Sequence, residues 1–336
     1  MNNVLVAGAS GYAGALAAEL IRRHPSLRLA RVTARTDAGK RLDELYPQYD
    51  VDLVLEEPAA EDGSDLDAAI VAYPHGAAAP VVAALRGQGV KVVDLSADFR
   101  LHDLDTYGDW YGEHGAPELL GEAVYGLTEL HRDAIAAADL VANPGCYPTA
   151  SLLALAPLAA EGLIEDVVID ARSGVSGAGK AAAEEMALVK ESDDTRPYKV
   201  TAHRHTPEIS QELSELAGSN GSASVAVTFV PHLMPYDQGE LVSCYVRTAE
   251  PVDSSRLLGL YEDRYGEEPF VEVSSAPPGV SGVRETNLCR IHLAQNEASG
   301  MVMAFASIDN LWKGAASQAI QNLNLMLGLP EGEGIS

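Results

Sequence analysis

The first half of the chain alternates short apolar runs with helical patterns, separated by turns rich in glycine, proline and hydroxyl residues. Val4-Leu5-Val6-Ala7 predicts a strand that runs into the turn Gly8-Ala9-Ser10-Gly11-Tyr12-Ala13-Gly14 and then a helix. A second strand is expected from about Leu27 to Thr33. Ala69-Ile70-Val71-Ala72 leads into Tyr73-Pro74-His75-Gly76 and an alanine-rich helix from about Ala77 to Leu85. Val90 to Leu95 leads into Ser96-Ala97-Asp98-Phe99-Arg100, and Leu140-Val141-Ala142 is a short apolar strand before Asn143-Pro144-Gly145-Cys146. Strands alternating with helices predict a Rossmann-type α/β domain. Its doubly wound parallel sheet places ligands outside the carboxyl ends of the strands.

The pattern changes after the helix that Pro148 and Ser151 to Leu155 continue. A strand is expected from about Asp166 to Ala171, followed by the glycine- and serine-rich loop Arg172 to Lys180. His203-Arg204-His205-Thr206-Pro207-Glu208-Ile209 predicts a helix with Thr206 as its cap and Pro207 at its first position. Val225 to Phe229 and Leu241 to Thr248 alternate apolar and polar residues like antiparallel strands, which makes the second domain α+β. The helical stretch Ala315 to Leu327 is expected to pack back on the first domain, dividing the chain into 1–147 with 312–336 and 148–311. Glu331 to Ser336 are expected to fray.

Composition narrows the chemistry. The chain has 336 residues, 47% of them hydrophobic, enough for two domains. No apolar run reaches membrane-spanning length, and the chain enters a strand at once, without the pattern of a signal peptide. A net charge of −26 disfavours nucleic acid and anionic membranes as partners and is compatible with solubility at high salt. The three cysteines, Cys146, Cys244 and Cys289, are far apart and lack metal-ligand spacing. That fits a reducing cytoplasm and argues against a disulfide framework or a metal site.

Cys146 is the leading candidate for chemistry. A cysteine between a strand, a glycine turn and a helix meets unpaired backbone N–H groups and the positive end of the helix dipole. Both favour the thiolate, and the same N–H groups can hold an oxyanion. The glycines at Gly8, Gly11 and Gly14 let a pyrophosphate approach the backbone at a helix N-terminus. Thr33-Ala34-Arg35-Thr36 closes the second strand with a cation and hydroxyls where an NAD-type fold carries an acid, so NADP is expected. His75, Ser96, Asp98 and Arg100 lie at strand ends, with Asp98 and Arg100 as a candidate ion pair and Arg100 the better partner for a substrate anion. The loop around Ser173, Ser176 and Gly177 can bind an anion, and His203 or His205 can move a proton near neutral pH.

Taken together these residues resemble the N-acetyl-gamma-glutamyl-phosphate reductase family of arginine biosynthesis, which is related to aspartate-semialdehyde dehydrogenase. The resemblance runs through GASGYAG at Gly8 to Gly14, PHG at Pro74 to Gly76, DLSADFR at Asp94 to Arg100 and NPGCYPTA at Asn143 to Ala150. It continues through SGVSGAGK at Ser173 to Lys180, HRHTPEI at His203 to Ile209 and DNLWKGAA at Asp309 to Ala316. It implies that Cys146 attacks an acyl phosphate, that NADPH reduces the resulting thioester, and that His205, with His203 as the alternative, transfers the proton. The implied cofactor residues are Gly8, Ser10, Gly11, Tyr12, Ala13, Gly14, Thr33, Arg35, Ser176, Gly177, Asn310 and Lys313. The implied substrate residues are Arg100, Asn143, Ser173 and His203, with no metal. An NADP-binding first domain, a catalytic and oligomerisation second domain, and a homo-oligomer, tetramer or dimer, are also implied. Two positions depart from the family pattern: Gln238 stands where many relatives carry arginine, and Arg172 where lysine is common.

The resemblance leaves other substrates open. A relative acting on a glutamyl or aminoadipyl phosphate held by an acidic carrier protein is opposed by the intact NPGCYPTA and SGVSGAG motifs, and by repulsion between two polyanions. An aspartate-semialdehyde dehydrogenase is opposed by the local setting of the histidines. A cofactor-binding sensor without turnover is opposed by the presence of both cysteine and histidines.

Overall fold

The computed structural model describes residues 1–58, 63–180, 187, 189–191, 193–218 and 224–335, with the side chain of residue 178 also left aside. The chain divides into two compact units, Met1–Gly145 with Ala315–Ser336, and Cys146–Gly314. No helix among the described residues is long and apolar enough to cross a membrane.

In the first unit the strands are β1 (Asn2–Ala7), β2 (Leu27–Thr33), β3 (Ala68–Val71), β4 (Lys91–Asp94), β5 (Val124–Tyr125) and β6 (Leu140–Ala142). They form a sheet of order β2-β1-β3-β4-β6-β5 in which every pairing is parallel. The helices are α1 (Tyr12–Arg23), α2 (Leu42–Leu45), α3 (Ala79–Arg86), α4 (Leu104–Tyr111), α5 (Thr128–Ala137) and, from the end of the chain, α9 (Ser317–Met326). Helix α3 packs on Leu5, Ala7, Ala69, Val71 and Val92, while the alternate residues Val4, Val6, Ile70 and Val93 are equally buried. A sheet covered on both faces reads as continuous apolar runs, as these strands do. The Rossmann-type expectation is thereby met. Because β1 is flanked by β2 and β3, the switch point lies between β1 and β3, where the Gly8 turn and Tyr73-Pro74-His75 emerge.

Two expectations for this unit change. Asp98 does not pair with Arg100; its carboxylate accepts from the backbone N–H groups of Gly76, Ala78 and Ala79 and from the Tyr107 hydroxyl. Three N–H groups at the start of α3 need an acceptor, and a buried carboxylate supplies it. The chain end is also packed: Glu331 pairs with Arg132 at 2.8 Å, Asn324 donates to the carbonyls of Glu331 and Glu333, and Ile335 is buried.

The second unit holds a mixed sheet of order β11-β12-β13-β10-β7-β9-β8. Its strands are β7 (Ile164–Gly174), β8 (Arg196–Pro197), β9 (Ala226–Met234), β10 (Glu240–Thr248), β11 (Val271–Val273), β12 (Cys289–Gln295) and β13 (Val302–Ile308). Its helices are α6 (Cys146–Ala160), α7 (His205–Leu216) and α8 (Ser254–Tyr265). The two segments that alternate in sequence, β9 and β10, are not neighbours, because β7 lies between them, parallel to β9 and antiparallel to β10. Helix α6 is buried from Tyr147 to Ala159 on every side, as its unbroken apolar composition requires. Cys244 and Cys289 lie in the core of this sheet, and burial pushes the Cys244 thiol far up, out of reactive range.

Candidate active site

Cys146 is the first residue of α6 and the only one of the three cysteines that is not buried. Its place depends on glycine at a position with no obvious sequence signal. A Cβ on Gly314, in the π-helical turn Trp312–Ala316, would sit 2.7 Å from Cys146 Cβ. Gly314→Ala is therefore expected to displace the thiol and lower kcat about 100-fold with the fold retained, measured by steady-state kinetics beside circular dichroism.

The N-terminus of α7 lies beside that of α6 through Tyr147. Its ring stands edge-on to His203 at 5.7 Å and His205 at 5.9 Å, and its hydroxyl donates to the His232 carbonyl. The helix begins at His205 rather than after Thr206, because His203 Nδ1 accepts from the His205 N–H at 3.2 Å and takes the capping role. His203 Nε2 meets the Tyr198 hydroxyl at 3.3 Å. An acceptor at Nδ1 leaves the proton of a neutral imidazole on Nε2. His203 is thus buried with both nitrogens engaged, while His205 is half-buried at the helix start.

Glu240 completes this unit's cluster and was not legible in the sequence. It is the first residue of β10, opposite Ser173 in register, and fully buried. Burial pushes its carboxyl up to about 8, while the nearby Cys146 thiol and Ser173 hydroxyl favour the charged form. Ser173 itself donates to the Gly174 carbonyl.

The loop residues expected to meet the cofactor have partners of their own. Asn310 accepts from the Gly239 N–H at 2.8 Å and donates to Ser176 Oγ at 2.9 Å, which donates to the Asp237 carbonyl. Its amide therefore ties two loops together. Lys313 is fully buried with its ammonium 5.7 Å from the centre of the Phe270 ring, and Gly177 is exposed. Gln238 accepts from Arg284 at its carbonyl, so a cation does reach this turn, from elsewhere in the chain.

In the first unit the glycine turn forms a cradle. Gly8 has φ +85°, and a Cβ there would fall 2.6 Å from the Ala72 carbonyl oxygen; one on Gly14 would collide with the Gly8 oxygen. The N–H groups of Gly8 and Ala9 donate to the Thr33 carbonyl, and Tyr46 donates to the Ser10 carbonyl. Ser10, Gly11, Tyr12 and Ala13, at the start of α1, are half-buried. Thr33 is buried, its hydroxyl 3.2 Å from that of Tyr73, whereas Arg35 is exposed and lies over the Tyr73 ring at 4.9 Å.

Arg100 and Asn143 are tied into the backbone around them. Arg100 is buried and donates to the carbonyls of Asn143 and Leu95. Asn143 Oδ1 accepts from Asn322, which also holds the Gly126 carbonyl, and Asn143 donates to the Ala315 carbonyl. The backbone leading to Cys146 is therefore fastened on both sides by buried polar groups.

Residues 3–138 match the family described as semialdehyde dehydrogenase, NAD binding domain, and residues 146–310 the semialdehyde dehydrogenase dimerisation domain. With the parallel sheet and the cysteine at a helix start, these matches make the chain a semialdehyde dehydrogenase by class. Among similar proteins is the N-acetyl-gamma-glutamyl-phosphate reductase of Moorella thermoacetica, 44% identical over 97% of this chain and 95% of the relative. That of Halorhodospira halophila is 46% identical over 100% of this chain and 98% of the relative. The chain belongs to the N-acetyl-gamma-glutamyl-phosphate reductase family, as the sequence motifs imply. The fold is shared with aspartate semialdehyde dehydrogenase II of Vibrio cholerae complexed with ASA, at TM-score 0.76 and 19% identity over 98% of each chain. It is shared too with aspartate semialdehyde dehydrogenase with NADP from Candida albicans, at TM-score 0.72 and 14% identity over 97% of this chain and 98% of that one.

Proposed function

We propose that this chain reduces N-acetyl-γ-glutamyl phosphate to the corresponding semialdehyde, with release of phosphate, through a thioester on Cys146. The observation that carries the reading is a half-exposed cysteine at the start of α6, with the Glu240 carboxyl beside it and two histidines packed on the next residue, Tyr147. The cysteine sulfur attacks the acyl carbon, and phosphate departs with the electrons of the C–O bond. His205 gives that departing oxygen a proton and is recharged from water. Its neighbour His203 positions it. NADPH, when bound, supplies the hydride that converts the thioester carbon to the aldehyde level. The backbone N–H groups at the start of α6 stabilise the oxyanion formed at that carbon, and the C–S electrons return to sulfur as the aldehyde forms.

The first unit is the NADP-binding domain in this reading. The Gly8 and Gly14 cradle admits a pyrophosphate at the start of α1, with Ser10 to Ala13 around it, and Thr33 and Arg35 face the adenosine ribose. An exposed cation held over Tyr73 suits a 2′-phosphate. Arg35→Asp is expected to weaken NADPH about 100-fold and NADH less than threefold, measured by fluorescence titration; equal losses would remove the contact. Ser176, Gly177, Asn310 and Lys313 complete the proposed cofactor-binding set, with Asn310 holding the Ser176 loop in shape.

The second unit carries oligomerisation in addition to chemistry. Its sheet leaves Val168, Val230, Tyr245, Met303 and Phe305 partly exposed on the side away from α6, an apolar face that suits a homodimer or a tetramer of dimers. Light scattering should give a dimer or tetramer that Val168→Lys weakens. A monomeric, active wild type would exclude it.

The deciding experiment is the reverse reaction, phosphate-dependent reduction of NADP by N-acetylglutamate semialdehyde, with and without a thiol-alkylating reagent. Activity that requires phosphate and disappears on alkylation of Cys146 supports the reading. A folded, NADPH-binding preparation inactive at low and high salt would overturn it in favour of a carrier-linked substrate.

A further inference from the structure

The carboxyl of Glu240 has no role in the scheme above, yet it is buried beside Cys146 and opposite Ser173. It is fully buried, and neither of its oxygens has a hydrogen bond of regular geometry. The groups that act on it are the Cys146 thiol, the Ser173 hydroxyl and the Asp309 carboxyl, and its charge is felt by Tyr147, Tyr198 and Tyr236. Among the described residues, no lysine or arginine is a group acting on it. A buried, unpaired carboxylate is costly in the absence of a proton or a cation. The one proton donor in reach that the reaction must itself deprotonate is Cys146.

We infer that Glu240 is the proton acceptor for the Cys146 thiol and returns that proton when the aldehyde leaves. The inference rests on the thioester reading and deepens it. In the first half-reaction the S–H proton passes to a Glu240 oxygen as the sulfur forms its bond to the acyl carbon and the phosphate C–O bond breaks. The pair is then a thioester and a neutral acid. In the second, hydride has added, the C–S bond breaks with its electrons on sulfur, and Glu240 gives the proton back. No external acid or base is used for the sulfur, which leaves His205 for the oxygens of the substrate. Burial equips Glu240 for this proton relay, because a carboxylate whose pKa is pushed up to about 8 lies near the thiol range and, once ionised, takes up a proton that an exposed glutamate would leave in water.

Two groups sharing one proton titrate as a pair. As pH rises, the first proton leaves the thiol–acid pair, and the one that remains is shared between the sulfur and the Glu240 carboxylate. The second leaves only at higher pH, because two negative charges then face each other. The rate of Cys146 alkylation by iodoacetamide in the wild type is therefore expected to rise in two steps with pH. Cys244 and Cys289 are buried and do not contribute to the signal. Glu240→Gln should give a single step. It should also lower kcat/KM of the phosphate-dependent reaction about 100-fold, while NADPH binding stays within about twofold. Glu240→Asp keeps the carboxyl and should keep two steps with a smaller loss, which separates chemistry from any damage to packing. Wild-type and Glu240→Gln alkylation profiles that superimpose would overturn the assignment. Alkylation needs no substrate, so this failure is distinct from failure of the proposed reaction, which would appear as an inactive wild type.

Discussion

Cys146→Ser is expected to lower turnover in the phosphate-dependent assay by roughly 10⁴-fold or more while NADPH affinity changes less than about twofold. A serine hydroxyl fits the space, so the substitution leaves the start of α6 and its contact with Gly314 in place. What it removes is the polarisable, readily ionised sulfur that carries the proposed reducible acyl intermediate. NADPH affinity should persist because the glycine cradle belongs to β1 and α1, built from residues of the first unit. Mass spectrometry supplies an independent reading. Wild-type protein given acyl phosphate without NADPH should gain the mass of the acyl group, and the serine variant should not. Turnover within tenfold of wild type would exclude the thioester.

The second large effect concerns which histidine moves the proton. His205→Asn should lower kcat about 10² to 10⁴-fold and abolish the near-neutral limb of its pH profile, since general acid–base catalysis contributes that much and histidine titrates there. His203→Asn should cost about tenfold and keep the limb, the pattern of a group that positions another. The reason is geometric: His203 accepts the His205 N–H at one ring nitrogen and meets Tyr198 at the other. A limb lost in the His203 variant and kept in the His205 variant would reverse the roles.

Much of this protein is local and hence legible in the chain. β2 spans Leu27–Thr33 as the apolar run predicts, and α6 begins at Cys146 where a strand, a glycine turn and an apolar helix succeed one another. Those features follow from backbone sterics and hydrophobic periodicity within a few residues. The nucleophile, the pair of histidines and the nucleotide cradle belong to the same class, each being a short motif. α7 starts two residues earlier than the sequence predicts, because Thr206 and Pro207 carry the usual capping signal while a histidine ring nitrogen takes the role.

The remainder depends on long-range placement. Asp98 and Arg100 look alike as charged loop residues, yet one caps α3 and the other holds the Asn143 carbonyl. Nothing near Gln238-Gly239-Glu240 signals that its carboxyl ends beside Cys146; that follows from β10 pairing with β7 in a register that sets Glu240 opposite Ser173. Sequence by itself determined the fold class, the family and the candidate cysteine, since each rests on short-range pattern. The tertiary structure alone decided how the polar residues divide between holding the backbone and doing chemistry. That division is set by which donor meets which acceptor once water is excluded, and burial turns the partner of each charge into the determinant of its role.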